Sequence, residues 1–383
     1  MLIALLSLML SQDTKSVTSV EPAVWSAALP LKASLRLGTL DGAPEYSFGS
    51  IQQLAATSTG GFVIFDRADT QLRRYDPSGT FAGLIGRAGA GPGEYRSVEG
   101  LLFIGDSLLL AWDPPNGRVT IFAATGEYRR SIPVTGGIFG GNRPILPAPG
   151  GFLLRVAEAV RTPTDPFATH YLLFDTNGRI LDTVPEPATG RAPGHFVLMT
   201  TDGPRWNFPQ ESLFAFTPTG DLVRGHSSEL GFTVIPHRGT RRHVTRPTRP
   251  LRLEGAERQQ WEAWLAFFQE QQPMPSRHSL PSHKPLARSF QVDAGNRLWI
   301  EVYAEATSRP PKPRPAGDKR PQFTLRDAST YEVFTISGRY LGRVSLEPES
   351  TILDISASHL YVLTHGPDGE EQIAVYHLPS TPN

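Results

Sequence analysis

Residues 118–134 read RVTIFAATGEYRRSIPV. An apolar strand ends near Phe122, a turn closes on Gly126, and a second alternating strand follows, which is the pattern of a β-hairpin. A third apolar strand precedes it (SLLLAW, 107–112), and many copies have a fourth strand before that one. Four short strands per unit of about 40–50 residues, repeated six times, predict an all-β fold, a single six-bladed β-propeller. The residues that end the repeated strand are Tyr75, Phe122, Phe174, Ile235, Phe334 and Tyr376.

The last unit lacks its outermost strand, because the chain ends soon after the third strand of that unit. Residues 33–54 echo residues 80–101: in both, a strand leads through a Gly/Pro loop with Glu-Tyr into the next inner strand. We therefore predict that residues 33–40 complete the sixth blade and close the ring, which removes open sheet edges. The predicted propeller covers residues 30–380, with one helical insertion at residues 254–272.

The composition fits such a fold and excludes several kinds of site. The chain has 36 Gly and 35 Pro, which indicates many turns. Lys+Arg and Asp+Glu both total 37, and this zero net charge gives no sign of nucleic-acid binding. The absence of Cys excludes disulfides, Cys-ligated metals and a thiol nucleophile.

The first residues, MLIALLSLMLSQ (1–12), contain an apolar run that is too short to span a bilayer. Such a run suits the core of a secretory signal peptide. We therefore predict an extracytoplasmic protein, periplasmic or secreted, without a membrane span. The alternative is a short apolar tail.

The loop RAGAGPGEY (87–95) between two predicted blades resembles the six-bladed β-propeller family of bacterial secreted proteins that is related to NHL repeats. The segments NRLWIEVY (296–303) and YEVFTISGRYLGRV (331–344) are similar to the later blades of that family. The resemblance covers residues 30–380. It implies an extracytoplasmic propeller and no particular activity.

The predicted connections differ in length between the two faces of the propeller. Because strands alternate in direction, the crossovers between blades and the loops after each second strand share one face, here called the loop-rich face. The other turns share the opposite turn face and are all short. Long loops in a compact domain usually carry function. We therefore predict a monomeric, non-enzymatic binding protein whose loop-rich face engages an unknown ligand or protein. The long segments are 86–97, 158–169, 186–211, 250–284 and 304–330.

Three segments supply candidate binding residues. The glycine-rich loop 86–93 either presents backbone amides to an anion or forms a tight crossover between blades. The basic segment 237–252 either binds an acidic surface or protects an outer strand from edge pairing. The insertion 254–272 has an apolar stripe, which we expect to cap the propeller; the alternative is a lid or a docking helix. The stripe is Trp261, Trp264, Leu265 and Phe268, and the candidate binding residues are Arg87, Glu94, Tyr95, Arg241, Arg242, Trp261 and Trp264.

The alternative function is a metal-dependent, lactonase-like hydrolase or lyase with its site at the mouth of the central channel. Turn residues Asp113, Asp175 and Asp293 could hold Ca²⁺ there, although Asx turns explain the same residues. The ten His residues show no zinc-site spacing, and no Gly-x-Ser-x-Gly motif is present. We therefore assign no catalytic residue, no metal ligand and no cofactor, with Ca²⁺ or Zn²⁺ expected only under this alternative.

Overall fold

The computed structural model confirms the all-β, six-bladed propeller. Each blade has four antiparallel strands, and the innermost strands surround a central channel. No helix among the described residues is long and apolar enough to cross a membrane. The structure describes residues 14–25, 32–135, 144–159, 167–187, 198–200, 203–205, 208, 210–271, 280–311 and 316–380.

Blades 1 to 3 each use four consecutive strands, from the innermost to the outermost. Blade 1 consists of Ile51–Ala56, Phe62–Asp66, Gln71–Tyr75 and Phe81–Ile85. Blade 2 consists of Gly100–Ile104, Leu108–Asp113, Arg118–Ala123 and Tyr128–Pro133. Blade 3 consists of Ile145–Ala148, Gly151–Ala159, Phe167–Asp175 and Ile180–Pro185.

Blades 4 to 6 repeat this order, and blade 6 takes its fourth strand from the N-terminal region. Blade 4 consists of Ser212–Phe216, Leu222–His226, Gly231–Ile235 and Arg241–Thr245. Blade 5 consists of Ser289–Val292, Arg297–Val302, Thr330–Thr335 and Tyr340–Ser345. Blade 6 consists of Thr351–Ile355, His359–His365, Glu371–His377 and Ala33–Leu37.

Smaller elements decorate the connections. One α-helix, here called the cap helix, lies between blades 4 and 5 and spans Gly255–Gln271. Short strand pairs and two 3₁₀ turns occur in other loops. They are Arg87–Ala88 with Glu94–Tyr95, Leu198–Thr200 with Gly203–Arg205, Thr307–Ser308 with Leu325–Arg326, and the turns Pro44–Tyr46 and Pro114–Asn116.

Burial explains the two hydrophobic patterns of the blades. The second strand of a blade, such as FVIFD (62–66), is buried along its whole length because both of its faces pack against neighbouring blades. The outermost strand, such as FAGLI (81–85), alternates because one face meets solvent. The core therefore consists of layers between adjacent blades.

The ring closes as the sequence predicts. Strand Ala33–Leu37 pairs antiparallel with strand Glu371–His377, with Ala33 opposite Tyr376 and Leu37 opposite Ile373. The Oγ atom of Ser34 also donates a hydrogen bond to the Val375 carbonyl oxygen at 3.0 Å. These bonds give the last blade its fourth strand.

The chain upstream of this strand also contributes to the fold. Residues 14–25, here called the N-terminal arm, begin with strand Thr14–Thr18, which pairs in parallel with Arg241–Thr245 of blade 4. This basic strand is the fourth strand of blade 4, as the sequence predicts, but the prediction that its charges block edge pairing was wrong. The charged side chains of strand Arg241–Thr245 leave its backbone N–H and carbonyl groups accessible, and the N-terminal arm pairs with those groups. Arg241 and Arg242 are half-buried opposite Thr14 and Lys15.

Trp25 anchors the end of the arm against blades 5 and 6. Its backbone N–H donates to the Leu341 carbonyl oxygen at 2.7 Å, and Gly342 leaves room for its side chain. The indole is buried, with its ring 6.3 Å from that of Trp299. The arm therefore ties the outer edge of blade 4 to the core between blades 5 and 6.

We expect Trp25→Ala to lower the free energy of unfolding by about 3–5 kcal/mol, because it removes a large buried aromatic side chain. Denaturant unfolding followed by circular dichroism measures the change. The control is Val20→Ala in the same arm, where the side chain is 71% exposed, with an expected change within about 0.5 kcal/mol. Equal effects of the two substitutions would contradict the anchoring role.

Candidate functional site

The central channel contains a cavity of about 310 Å³. Its described wall consists of inner strands and of the short turns that follow them, so the cavity lies towards the turn face and not under the long loops. Most of the wall is apolar. The lining includes Leu54, Leu101, Phe103, Ile145, Pro147, Phe216, Val292, Leu353 and Ile355, together with Gln53, Ser58, Asp106, Asp293, Asp354 and Ser356.

Two carboxylates at this cavity join neighbouring blades. Asp106 of blade 2 accepts hydrogen bonds from the backbone N–H of Ser58 in blade 1, at 2.7 Å, and from the Ser58 hydroxyl. These bonds hold the pKa of the Asp106 carboxyl below its usual value. Asp354 of blade 6 accepts a bond from the Ala56 N–H of blade 1 at 3.0 Å. Sequence analysis missed both residues, because they come from different blades and share no spacing signal.

Asp293 carries a third such link, between blades 5 and 6. Its carboxylate accepts bonds from Arg297 Nε at 2.6 Å and Trp299 Nε1 at 2.7 Å. Arg297 then donates to the carbonyl oxygens of Ser356 and Ala357 at 3.1 and 2.9 Å. The side chains of Asp293 and Arg297 are both buried, and this ion pair helps to hold blades 5 and 6 together.

The other two turn aspartates have the simpler role that the sequence allowed. Asp175 accepts bonds from the N–H groups of Asn177 and Arg179 at 2.8 and 2.9 Å, as in an Asx turn. Asp113 is fully buried and accepts bonds from Arg96 N at 3.0 Å and Asn116 Nδ2 at 2.6 Å.

Asp66 of blade 1 repeats the contacts of Asp113 in blade 2. It accepts bonds from the N–H groups of Gly49 and Ser50 at 3.0 and 2.9 Å, as Asp113 does from Arg96 and Ser97. Each carboxylate thus fixes the crossover that enters its own blade. This explains why the two Glu-Tyr loops echo each other in the sequence.

The glycine-rich loop is organised by its own side chains. Glu94 accepts a bond from the Gly91 N–H at 2.7 Å and pairs with the exposed Arg87 at 2.7 Å. The Gly91 amide and the Arg87 guanidinium hold the pKa of Glu94 below its usual value. The side chain of Tyr95 is buried and does not reach the surface. These contacts favour the interpretation of the loop as a crossover.

Tyr95 joins two parts of blade 1. Its hydroxyl accepts a bond from the Leu72 N–H and donates to the Ile85 carbonyl oxygen, both at 2.9 Å. Burial raises its pKa to about 12. The hydroxyl therefore remains protonated and keeps both bonds over the physiological range.

We expect Tyr95→Phe to lower the free energy of unfolding by about 1–3 kcal/mol, because it leaves a buried N–H and a buried carbonyl without their partner. Denaturant unfolding measures the change. Tyr128→Phe is the control, because that ring is 37% exposed, and we expect it to change stability by less than about 0.5 kcal/mol. A neutral Tyr95→Phe variant would show that the hydroxyl is not structural.

The cap helix buries its aromatic stripe, as the capping interpretation predicts. Trp261 and Trp264 pack on Phe323, with ring centroids 4.7 and 5.4 Å away. Phe323 belongs to the long loop 303–329 of blade 5. Leu265 is also buried in this cluster, whereas the side chain of Phe268 lies outside the described residues. Trp261 and Trp264 thus pack beneath the surface of the loop-rich face and are shielded from solvent.

Polar groups fasten the same helix to the propeller. Lys284 is buried, and its Nζ atom lies 2.7 Å from Glu257 Oε1 of the cap helix and 2.9 Å from the Ala304 carbonyl oxygen. Gln260 donates to Thr324 Oγ1 at 2.9 Å and accepts from the Thr324 N–H at 3.0 Å. Sequence analysis missed Lys284 and Glu257, since single charged residues carry no pattern.

We expect Glu257→Gln to lower the free energy of unfolding by about 2–3 kcal/mol, because Lys284 would keep a buried charge without its counter-ion. The exposed Glu262→Gln on the same helix is the control, with an expected change within about 0.5 kcal/mol. Thermal and denaturant unfolding measure both variants. Similar values for the two variants would show that the buried pair does not fasten the helix.

The structure does not bring the predicted binding residues together. Arg87 and Glu94 lie on the loop-rich face between blades 1 and 2, whereas the cap helix lies between blades 4 and 5. Arg241 and Arg242 begin an outer strand near the turn face. Among the described residues, no group of three or more His, Asp or Glu side chains is placed to hold a metal ion.

No family model matches the chain, and no curated protein matches it. Solved structures share its fold. A Bacteroides fragilis protein whose name classes it as exported has a TM-score of 0.51 and 11% identity, covering 96% of this chain and 99% of its own. A DUF4221 member from Bacteroides vulgatus has a TM-score of 0.50 and 12% identity, covering 91% and 98%. The calcium-binding regucalcin of Agrobacterium tumefaciens has a TM-score of 0.41 and 11% identity, covering 93% and 97%. At these identities the comparison is one of fold.

Proposed function

We propose that this protein is an extracytoplasmic, non-enzymatic binding propeller whose loop-rich face engages a protein partner. The observation that carries the proposal is the well-packed platform on that face, formed by the cap helix and the described part of the blade 5 loop. A surface that is ordered before binding loses less conformational entropy when its partner arrives.

Charged groups around the platform add paired contacts to its apolar packing. Arg288 pairs with Asp327 at 2.8 Å and Glu301 at 3.2 Å. Its guanidinium also lies over the Tyr303 ring, 4.1 Å from the centroid. Together with the Lys284 pair, these contacts fix the loop that supports the cap helix.

The exposed side of the platform carries small and charged groups of both signs. Gln259, Glu262, Ala263 and Ala266 face solvent on the cap helix, and Arg252 is exposed just before it. A polyanion would require a surface of one sign. Mixed charges beside small residues suit a folded protein with complementary groups.

Location outside the cytoplasm is supported by the apolar run at residues 1–12. The fold is also found in a protein named as exported. A cleaved N-terminus, read by mass spectrometry of the protein purified from its native host, tests this part of the proposal.

The partner site can be tested by introducing single cysteines, because the chain has none. Gln259→Cys and Ala263→Cys place a photo-cross-linker on the exposed side of the cap helix, and Thr125→Cys places it on the turn face. In the extracytoplasmic fraction of the host, we expect the two helix variants to give the same covalent adduct, identified by mass spectrometry. An adduct from Thr125→Cys alone, or no adduct from the helix variants, would overturn the proposal.

A metal-dependent, lactonase-like hydrolase is the second candidate, favoured by the cavity and the carboxylates beside it. Against it, Asp106 and Asp354 already accept hydrogen bonds from a neighbouring blade, and Asp293 is already paired with Arg297 of its own blade. A panel of lactones and esters with added Ca²⁺ or Zn²⁺ separates the two functions. We expect no turnover above buffer, whereas metal-dependent turnover that Asp354→Asn abolishes would establish the enzyme instead.

A further inference from the structure

Two histidines meet across a hairpin of blade 6. In the register of strands His359–His365 and Glu371–His377, His359 lies directly opposite His377. The next pair of opposite residues, Ser358 and Leu378, is hydrogen-bonded: the Leu378 N–H donates to the Ser358 carbonyl oxygen at 2.8 Å. His359 and His377 therefore occupy a non-hydrogen-bonded pair, where side chains approach most closely. Their ring centroids are 4.6 Å apart, at an interplanar angle of 50°.

The chemistry of the two rings suits metal ligation. The Nδ1 atom of His359 is 2.9 Å from Ser358 Oγ, a contact that orients the ring and leaves Nε2 available. Burial and the neighbouring His377 lower the pKa of His359, which favours the neutral ring that binds a metal ion. His377 is exposed to solvent, which gives an ion direct access.

The position of the pair is well defined by the blades around it. The edge of the His359 ring lies near Gly60 in a turn of blade 1, close enough to contact any side chain placed there. The hydroxyl of Tyr361 donates to the Gly60 carbonyl oxygen at 3.1 Å. Tyr376, beside His377, pairs with Ala33 of the closing strand. The pair thus lies on the turn face where the ring closes.

We propose that His359 and His377 form a binding site for Zn²⁺ or a similar divalent transition-metal ion. Imidazole nitrogens bind Zn²⁺ at about 2.0–2.1 Å, which places the centroids of two rings on one tetrahedral ion roughly 5 Å apart. The observed separation is close to this value. The other coordination positions are open to water or to a donor from a bound partner.

His226 provides a matched control. Its Nδ1 atom lies 2.7 Å from Ser228 Oγ, so it has the same kind of hydroxyl partner as His359 but no ring contact with a second histidine among the described residues. If Zn²⁺ bound only weakly to single surface histidines, His226→Ala would reduce the binding as much as His359→Ala or His377→Ala does.

Isothermal titration calorimetry with zinc chloride alone, in a chelator-free buffer at pH 7.5, tests the site on the full chain. We expect one equivalent of Zn²⁺ to bind, and His359→Ala or His377→Ala to weaken this binding at least tenfold. His226→Ala should bind like the parent. Zn²⁺ should also raise the melting temperature of the parent and the control but not that of the two variants, since an ion that binds only the folded state stabilises it.

Each other outcome would overturn the proposal. Absence of a one-equivalent binding event would do so, as would binding that survives His377→Ala. Should His359→Ala fail to fold, the exposed His377→Ala carries the test alone, with circular dichroism without metal as its folding control. The result is independent of whether the loop-rich face binds a protein or the cavity supports turnover.

Discussion

The hydrogen bonds between Ala33–Leu37 and Glu371–His377 hold the ring together. Without them, blade 6 would expose an unpaired edge. The two strands are far apart in sequence, so their pairing requires nearly the whole chain to be brought together. We therefore expect closure to be a late step in folding, because non-local pairing is slow. The N-terminal arm reinforces closure by carrying the chain from blade 4 to the Trp25 site before the closing strand begins.

Much of the architecture could be predicted from the sequence because each blade is built from local hairpins. The turns fix each register, and the alternation of apolar residues shows which strand lies at the outer edge. The arm could not be predicted in this way. TKSVT (14–18) is polar and lies next to no turn signal, and its partner strand is distant in the sequence. The basic residues of Arg241–Thr245 suggested an edge that is protected from pairing. Their charge does not prevent pairing with the polar strand Thr14–Thr18 of the same chain.

The candidate site shows a similar division. Residue type drew attention to Tyr95 and Trp264, yet both are buried, because an aromatic residue suits a core as well as a binding surface. Asp106 and Asp354 of the cavity were not predicted as site residues, because they come from different blades and share no spacing signal. Asp66 and Asp113 could have been found as a repeated position preceding each second turn, and their shared contacts with a crossover give that repeat its physical meaning. His359 and His377 become neighbours only through the register of their strands.

Charged side chains have different structural roles on the turn face and on the loop-rich face, and this difference is relevant to function. On the turn face, Asp106 and Asp354 accept hydrogen bonds from the adjacent blade, and Asp293 pairs with Arg297, which donates to blade 6. These carboxylates therefore stabilise the ring. On the loop-rich face, the buried Lys284 and the half-buried Arg288 form ion pairs that hold the insertion. Burying charges is costly unless they are well paired, and apolar residues could have filled the same space. The pairs fix one geometry of the insertion, and a fixed geometry is what a specific binding surface requires.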